Sequence, residues 1–330
     1  MVSVLFHQLI QRAGGDYRPG RSILFHVWLS AHFAYLQGLM HYLDRAAAAA
    51  LESFQPVLHV GRGSGTSGRS GAPSLSELRY RLTTMPRPAA LWASLWGAVL
   101  GVGLPLAFIR GPASGTSSLA DTFGLFRLSS SPLAILVSLV HLTLTQAILG
   151  ALVYHTVRQL RLIDHIYAAY ARVNLYRLQP LYAFSIPTAL TAGGLVLYDY
   201  AWFGTAPELL SQPVSLSLSA FFAVVAAITF AWPLLGSHRR LVAEKRRMLA
   251  ESSARFEATV VVLHQRVDNR ALRQMDDLNK ALASLEIEQT FLRRIPTWPW
   301  EPGTVRGLAA ALGLPIVIWL IQFGLQRILQ

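Results

Sequence analysis

The stretch GSGTSGRS, residues 63–70, has the spacing of a phosphate-cradling loop, GxxxxGKS, with Arg69 where the lysine would stand. Such a loop works only between a buried strand and a helix whose N-terminus holds the phosphate. Here PVLHV is a short run, Pro73 follows closely, and no second acidic strand comes later. The stretch therefore reads as a flexible Gly/Ser linker. Histidines offer a second chemistry. His26, His32 and His41 are separated by six and nine residues, and neither step places two ligands on one helical face as a four-residue step does. His155 and His165 stand singly near an expected membrane edge, where a snorkelling ring is sufficient explanation.

His141 is different. With Thr143, Thr145 and Gln146 it interrupts an otherwise apolar run. An ionisable group at membrane depth is costly and marks function by default. His141, Thr145 and Gln146 are thus the candidate intramembrane polar site; the plainer reading is that they hydrogen-bond neighbouring helices. Asp199, between Tyr198 and Tyr200, is expected at the outer headgroup level, where no burial is required. Asp164 and His165 are adjacent and so point to different helical faces. No nucleophile stands beside a base, and no carboxylates pair. The chain has no cysteine, which removes disulfides, thiolate metal sites and cysteine nucleophiles. The expectation is a non-enzyme with no catalytic residue, no metal and no cofactor.

The elements that hold these residues are set by hydropathy. The 330 residues are 53% hydrophobic and 14% charged, where ordinary soluble domains carry about a quarter charged residues. The deficit is concentrated in uncharged blocks of roughly 20 residues, the length that crosses a bilayer. The expected architecture is an all-α integral membrane protein with about five transmembrane helices and a cytoplasmic antiparallel helical hairpin. Four spans, 89–109, 132–154, 181–203 and 215–235, form a membrane domain over 89–235. A fifth covers 307–326. Residues 23–43 are uncharged but hold three histidines, and read as an amphipathic or buried helix, with a sixth span as the alternative.

Basic residues fix the orientation. Arg79, Arg81 and Arg87 precede the first span, Arg158, Arg161, Arg172 and Arg177 follow the second, and Arg239, Arg240, Lys245, Arg246 and Arg247 follow the fourth. The loops between are poor in charge. The N-terminus is expected in the cytoplasm and the C-terminus outside, in the cell membrane; a sixth span would move only the N-terminus. The net charge of +12 then points to anionic lipid at the cytoplasmic face rather than to nucleic acid.

Residues 237–294 are rich in helix formers. Leu249, Phe256, Val260 and Leu263, then Met275, Leu278, Leu282 and Leu285, repeat at the three-, four- and seven-residue steps of a coiled-coil seam. RVDNRAL, 266–272, supplies the turn between two arms. The stretch 295–306 follows as an interfacial elbow: Pro296 stops the helix, Trp298 and Trp300 suit the headgroup zone, and Arg293, Arg294 and Arg306 can reach phosphates. A docking site for a partner is the alternative for the Trp-Pro pairs. Residues 158–185 suggest a further amphipathic helix that ends before Pro180. An N-terminal helical segment, 1–60, includes the strongly helical AAAAALESF at 46–54, and a linker with a basic juxtamembrane stretch occupies 61–88.

Three stretches, NLYRLQPLYAFS (174–185), HRRLVAEKRRML (238–249) and LNKALASLEIEQTFLRRIPTWPWEPGTVRG (278–307), resemble a group of prokaryotic multi-pass membrane proteins sharing PLYAFS, HRRL-EK and IPTWPW-type motifs. The resemblance covers about 155–330 and implies a multi-pass topology without an established activity. From the helical hairpin beside the bilayer and the basic inner surface, function is expected to be non-enzymatic: a scaffold or signalling component that engages a cytoplasmic protein through 237–294. The alternative is a subunit of a homo-oligomeric channel or transporter, since five spans are few for a solitary one.

Overall fold

The computed structural model describes residues 9, 12–13, 21–58, 73–110, 132–171, 173–205, 213–270, 275–301, 303–313, 317 and 324. It is all-helical, 89% helix with no strand among the described residues; Leu58 and Ala171 form an isolated bridge. Most of the expected linker and the loop after the first expected span lie outside these residues, as does much of 307–326.

Helix α1, Arg21–Phe54, runs through both 23–43 and the alanine-rich stretch and ends in a 3-10 turn at Gln55–Val57, where Pro56 sits. Helix α2, Leu75–Thr83, begins at Ser74, whose Oγ accepts from the Glu77 backbone N–H at 3.1 Å. That Ser-x-x-Glu start is a capping pattern within the stretch expected as linker. Helix α3 is Arg87–Arg110 and covers the first expected span. Helix α4, Pro132–Tyr170, is 39 residues long, about 58 Å by the helical rise. It unites the second expected span with the amphipathic helix expected after it, because no proline or glycine interrupts 151–170.

Helix α5, Ser185–Thr205, and α6, Pro213–Ala231, follow. A 3-10 turn at Trp232–Leu234, built on Pro233, leads straight into α7, Leu235–Asp268, so the fourth expected span and the polar arm are nearly continuous. Helix α8 is Met275–Arg294 and α9 is 303–313. Stretches within Leu139–Tyr170, Gln179–Ala201 and Ser219–Asp268 are long and apolar enough to cross a membrane.

The buried core gathers at one end of the bundle. Phe54, Tyr167 and Phe184 meet with ring centroids 5.2–5.5 Å apart, in the edge-on and tilted arrangements aromatic rings prefer. The Tyr167 hydroxyl donates to the Leu181 carbonyl. Leu78 and Leu82 of α2, Ile163 and Ile166 of α4, and Leu175 and Leu181 close around them. On α3 and α6 many apolar side chains face outward. Leu91, Trp92, Leu95 and Trp96 on α3 and Phe221, Val224 and Ile228 on α6 are all more than half exposed, a display that suits lipid and would be a liability in water.

Candidate functional site

The junction of the membrane helices with the polar arms is tied by a clamp. Helix α8 ends at Arg294, and Lys245 of α7 places its Nζ 2.7 Å from both the Arg293 and the Ile295 carbonyls. Helix C-termini leave carbonyls unpaired, and a lysine there satisfies them while complementing the dipole. Beyond it, four rings stack in series. His238 lies 3.9 Å from Trp298, Trp298 lies 4.3 Å from Trp300, and Trp300 lies 5.3 Å from Phe230, all within 24° of parallel. His238 Nδ1 is also 3.0 Å from the Thr297 carbonyl. The two tryptophans thus grip the α6–α7 turn and each other. Arg293, Arg294 and Arg306 remain exposed around them.

Along the arms the expected seam positions Leu249, Phe256, Val260, Leu263, Met275, Leu278, Leu282 and Leu285 are each half-buried. Each apolar series skips one position, between Leu249 and Phe256 and between Leu285 and Leu292. Ser252 and Glu288 fill those gaps opposite each other, with the buried Ser252 Oγ 3.2 Å from a Glu288 carboxylate oxygen. The skipped steps in the two series were the sequence signal for this pair. Beside the clamp, Glu244 hydrogen-bonds the exposed Arg247 and raises its guanidinium pKa further.

A second polar site lies inside the bundle, between α1, α4 and α5. Asp44 of α1 meets His155 of α4, Oδ1 to Nε2, at 2.6 Å, and Gln159 Nε2 reaches the same oxygen at 3.3 Å. Gln159 also donates to Leu82 O, while Arg158 donates at 2.6 Å to the Arg81 and Thr84 carbonyls, capping α2 from α4. Twelve residues earlier on α1, His32 packs edge-on against Tyr198 of α5 at 4.5 Å and interacts electrostatically with His141 of α4. Tyr35 donates to the Gly194 carbonyl at 2.7 Å, where the glycine's bare backbone lets Leu39 approach. Asp199 is 7% exposed and accepts from Ser219 Oγ of α6 at 2.6 Å. Burial, which the expectation at the outer headgroup level did not require, is thus present: the short Ser219 hydroxyl across the α5–α6 contact gives the carboxyl a partner.

The three intramembrane candidates do not converge. His141 turns toward α1. The buried Thr145 spends its hydroxyl on the His141 carbonyl of its own helix at 2.9 Å. Gln146 lies against α3, beside Gly97 and Gly101. The Asp44–His155 pair escaped the sequence reading because its members are 111 residues apart; His155, expected to snorkel at a membrane edge, is instead 2% exposed. No family model, curated protein or solved structure matches the chain.

Proposed function

We propose that this chain is a non-enzymatic multi-pass protein of the cell membrane that presents a rigidly based, cytoplasmic antiparallel hairpin, arms α7 and α8, to a protein partner. The observation that carries the reading is the clamp. Lys245, His238 and the Trp298–Trp300 stack bind both arms to the end of α6, so a displacement in the membrane helices is transmitted to the arms and the reverse. Pairing of Lys245 with Arg293 and of Ser252 with Glu288 supports opposite chain directions. Val261, Val262 and Ile287 stay exposed on the arms, Ile287 at 70%; such residues outside a bilayer suit a protein contact. The basic base, with Arg239, Arg240, Arg246, Arg293 and Arg294, suits anionic lipid.

The topology that accompanies this reading has six crossings. Helix α1 runs parallel to α4, with Asp44 against His155 and, earlier on both helices, His32 in electrostatic interaction with His141, so it occupies the depth of the second span. If α4 runs from outside to inside, so does α1, and the N-terminus lies outside rather than in the cytoplasm. Single cysteines test this cleanly in a chain that has none. Ser22→Cys is expected to react with an impermeant maleimide from outside, and Ser253→Cys only after permeabilisation; protection of Ser22→Cys in intact cells would restore five crossings. For the partner, gentle purification and native mass are expected to show a stoichiometric second protein that the Ile287→Glu/Val261→Glu variant loses. Retention by that variant refutes the arms as the docking surface.

A further inference from the structure

We propose that the seam between α1, α4 and α5 carries protons, with His32 and His141 as one protonatable station and Asp44 with His155 as a second. The inference is independent of the hairpin reading, since it needs no partner.

Position comes first. The 12 residues from His32 to Asp44 on α1 and the matching stretch from His141 to His155 on α4 separate the stations by about 18–21 Å, most of the hydrocarbon thickness. Both stations face inward between helices. His32, His155 and Asp199 are buried, whereas the lipid-facing positions Leu136, Val140 and Leu144 of the same α4 are apolar and exposed. Ionisable side chains that avoid lipid and face one another across helices are the pattern of relays.

Chemistry comes second. At the inner station the His155 ring meets Asp44 through Nε2, while its Nδ1 is buried with no hydrogen-bond partner among the described residues. An imidazole can accept a proton on one ring nitrogen and release it from the other. Asp44 is the entrance, because its side chain is 20% exposed where that of His155 is 3%. The open Nδ1 is the exit into the protein. The other groups around it are Gln159, which shares Asp44, and Arg158, whose guanidinium is committed to the α2 carbonyls. At the other station His32 packs edge-on against Tyr198 from α5 and interacts electrostatically with His141 from α4; Tyr35 follows one turn on along α1, and Asp199, next to Tyr198 in sequence, is held by Ser219 of α6. The contacts at both stations join imidazole to carboxylate or to a second ring, groups that take up and release a proton.

Between the stations stand Leu36, Leu43 and Leu152, each 5% exposed or less. They form a plug that must part or admit water for a proton to pass. Mere helix adhesion does not call for this arrangement: on its other side α4 packs against α3 through Gly97, Gly101 and Gly150 with no charge involved.

The test is flux through the full chain reconstituted in vesicles of phosphatidylcholine and phosphatidylglycerol, loaded with a pH-sensitive dye, under a potassium–valinomycin potential. Flux well above protein-free vesicles is expected, with a fall of at least tenfold in Asp44→Asn and in His155→Gln. Leu43→Ala, which thins the plug without touching an ionisable group, is expected to raise flux severalfold. Wild-type flux equal to that of empty vesicles overturns the proposal, as does undiminished flux in correctly folded Asp44→Asn and His155→Gln. If those two variants do not fold, Leu43→Ala decides: unchanged or lower flux rejects the seam as the path.

Discussion

Between α3 and α4 the backbones approach until no Cβ fits. A methyl at Gly97 would lie 2.1 Å from the Gln146 carbonyl oxygen, and one at Gly150 would lie 2.3 Å from that of Ala93. Between α7 and α8 the spacing is kept instead by half-buried Leu, Phe, Val and Met side chains, with charges on the outer faces. The difference is the one that lipid around the first pair and water around the second would produce. In lipid, burying a leucine against another helix gains little over leaving it in acyl chains, so association relies on close van der Waals contact between small residues. In water the same leucine is driven into the seam by the hydrophobic effect. The two pairs therefore fail in different ways, and substitutions at each tell whether the solvents have been assigned correctly.

The largest effect is expected from Gly97→Leu, and Gly97→Ala is already severe. The obstacle is the backbone of the facing helix, which has no rotamer by which to yield. Overpacking a tight contact costs about 1–3 kcal/mol for a small insertion and more for a large one. Gly103→Ala on the same helix meets nothing within 4 Å and is expected to be neutral or slightly stabilising through helix propensity. Unfolding in detergent, followed by tryptophan fluorescence, measures both. Equal midpoints for Gly97→Ala and Gly103→Ala would break the account of close packing.

Next is the clamp. Lys245→Met keeps the aliphatic stem but deprives the Arg293 and Ile295 carbonyls of their donor. Removing a charged partner from a hydrogen bond costs about 1–3 kcal/mol. The loss is expected to appear locally, as faster amide exchange over 289–297 with the α3–α4 pair unchanged. If exchange rises equally in both regions, the arms and the bundle unfold as one unit and the comparison between them loses its basis. Leu282→Ala, in the half-buried seam, is expected to cost about 1–2 kcal/mol, short of the roughly 2–5 of full burial, and to accelerate exchange along both arms.

What was legible beforehand divides along the same line. Along the arms the seam residues from Leu249 to Leu285 are half-buried, as a period enforced by water would leave them. The apolar runs at 132–154, 181–203 and 215–235 were legible by length, and each coincides with a stretch able to cross a membrane. The contacts between membrane helices were not, because lipid imposes no period. Gly97 and Gly150 look like any glycines until the facing carbonyl is placed, and His155 looks solitary until α1 brings Asp44 to it across 111 residues. The joints were misjudged for a local reason. Helix α4 does not stop at the expected membrane edge, since only composition changes there and the backbone has no cause to break.

The smallest expected effect bears on register. Ser252 and Glu288 occupy seam positions where leucine would serve better for adhesion, and their hydrogen bond crosses between the arms. A buried polar pair in a helical seam gives up stability and fixes alignment, because any other register strands its members without partners. The Ser252→Leu/Glu288→Leu double variant is therefore expected to hold or slightly raise the unfolding midpoint while loosening alignment. Disulfide trapping between cysteines introduced at 249 and 292 and, separately, at 249 and 285 reads that alignment. In the natural seam the first pair is expected to form and the second not to, since Lys245 opposite Arg293 and Ser252 opposite Glu288 place 249 closer to 292 than to 285. In the double variant both are expected to form. A double variant that stays in one register would mean that the clamp alone sets the alignment, and that Ser252 and Glu288 are tolerated there for some other reason.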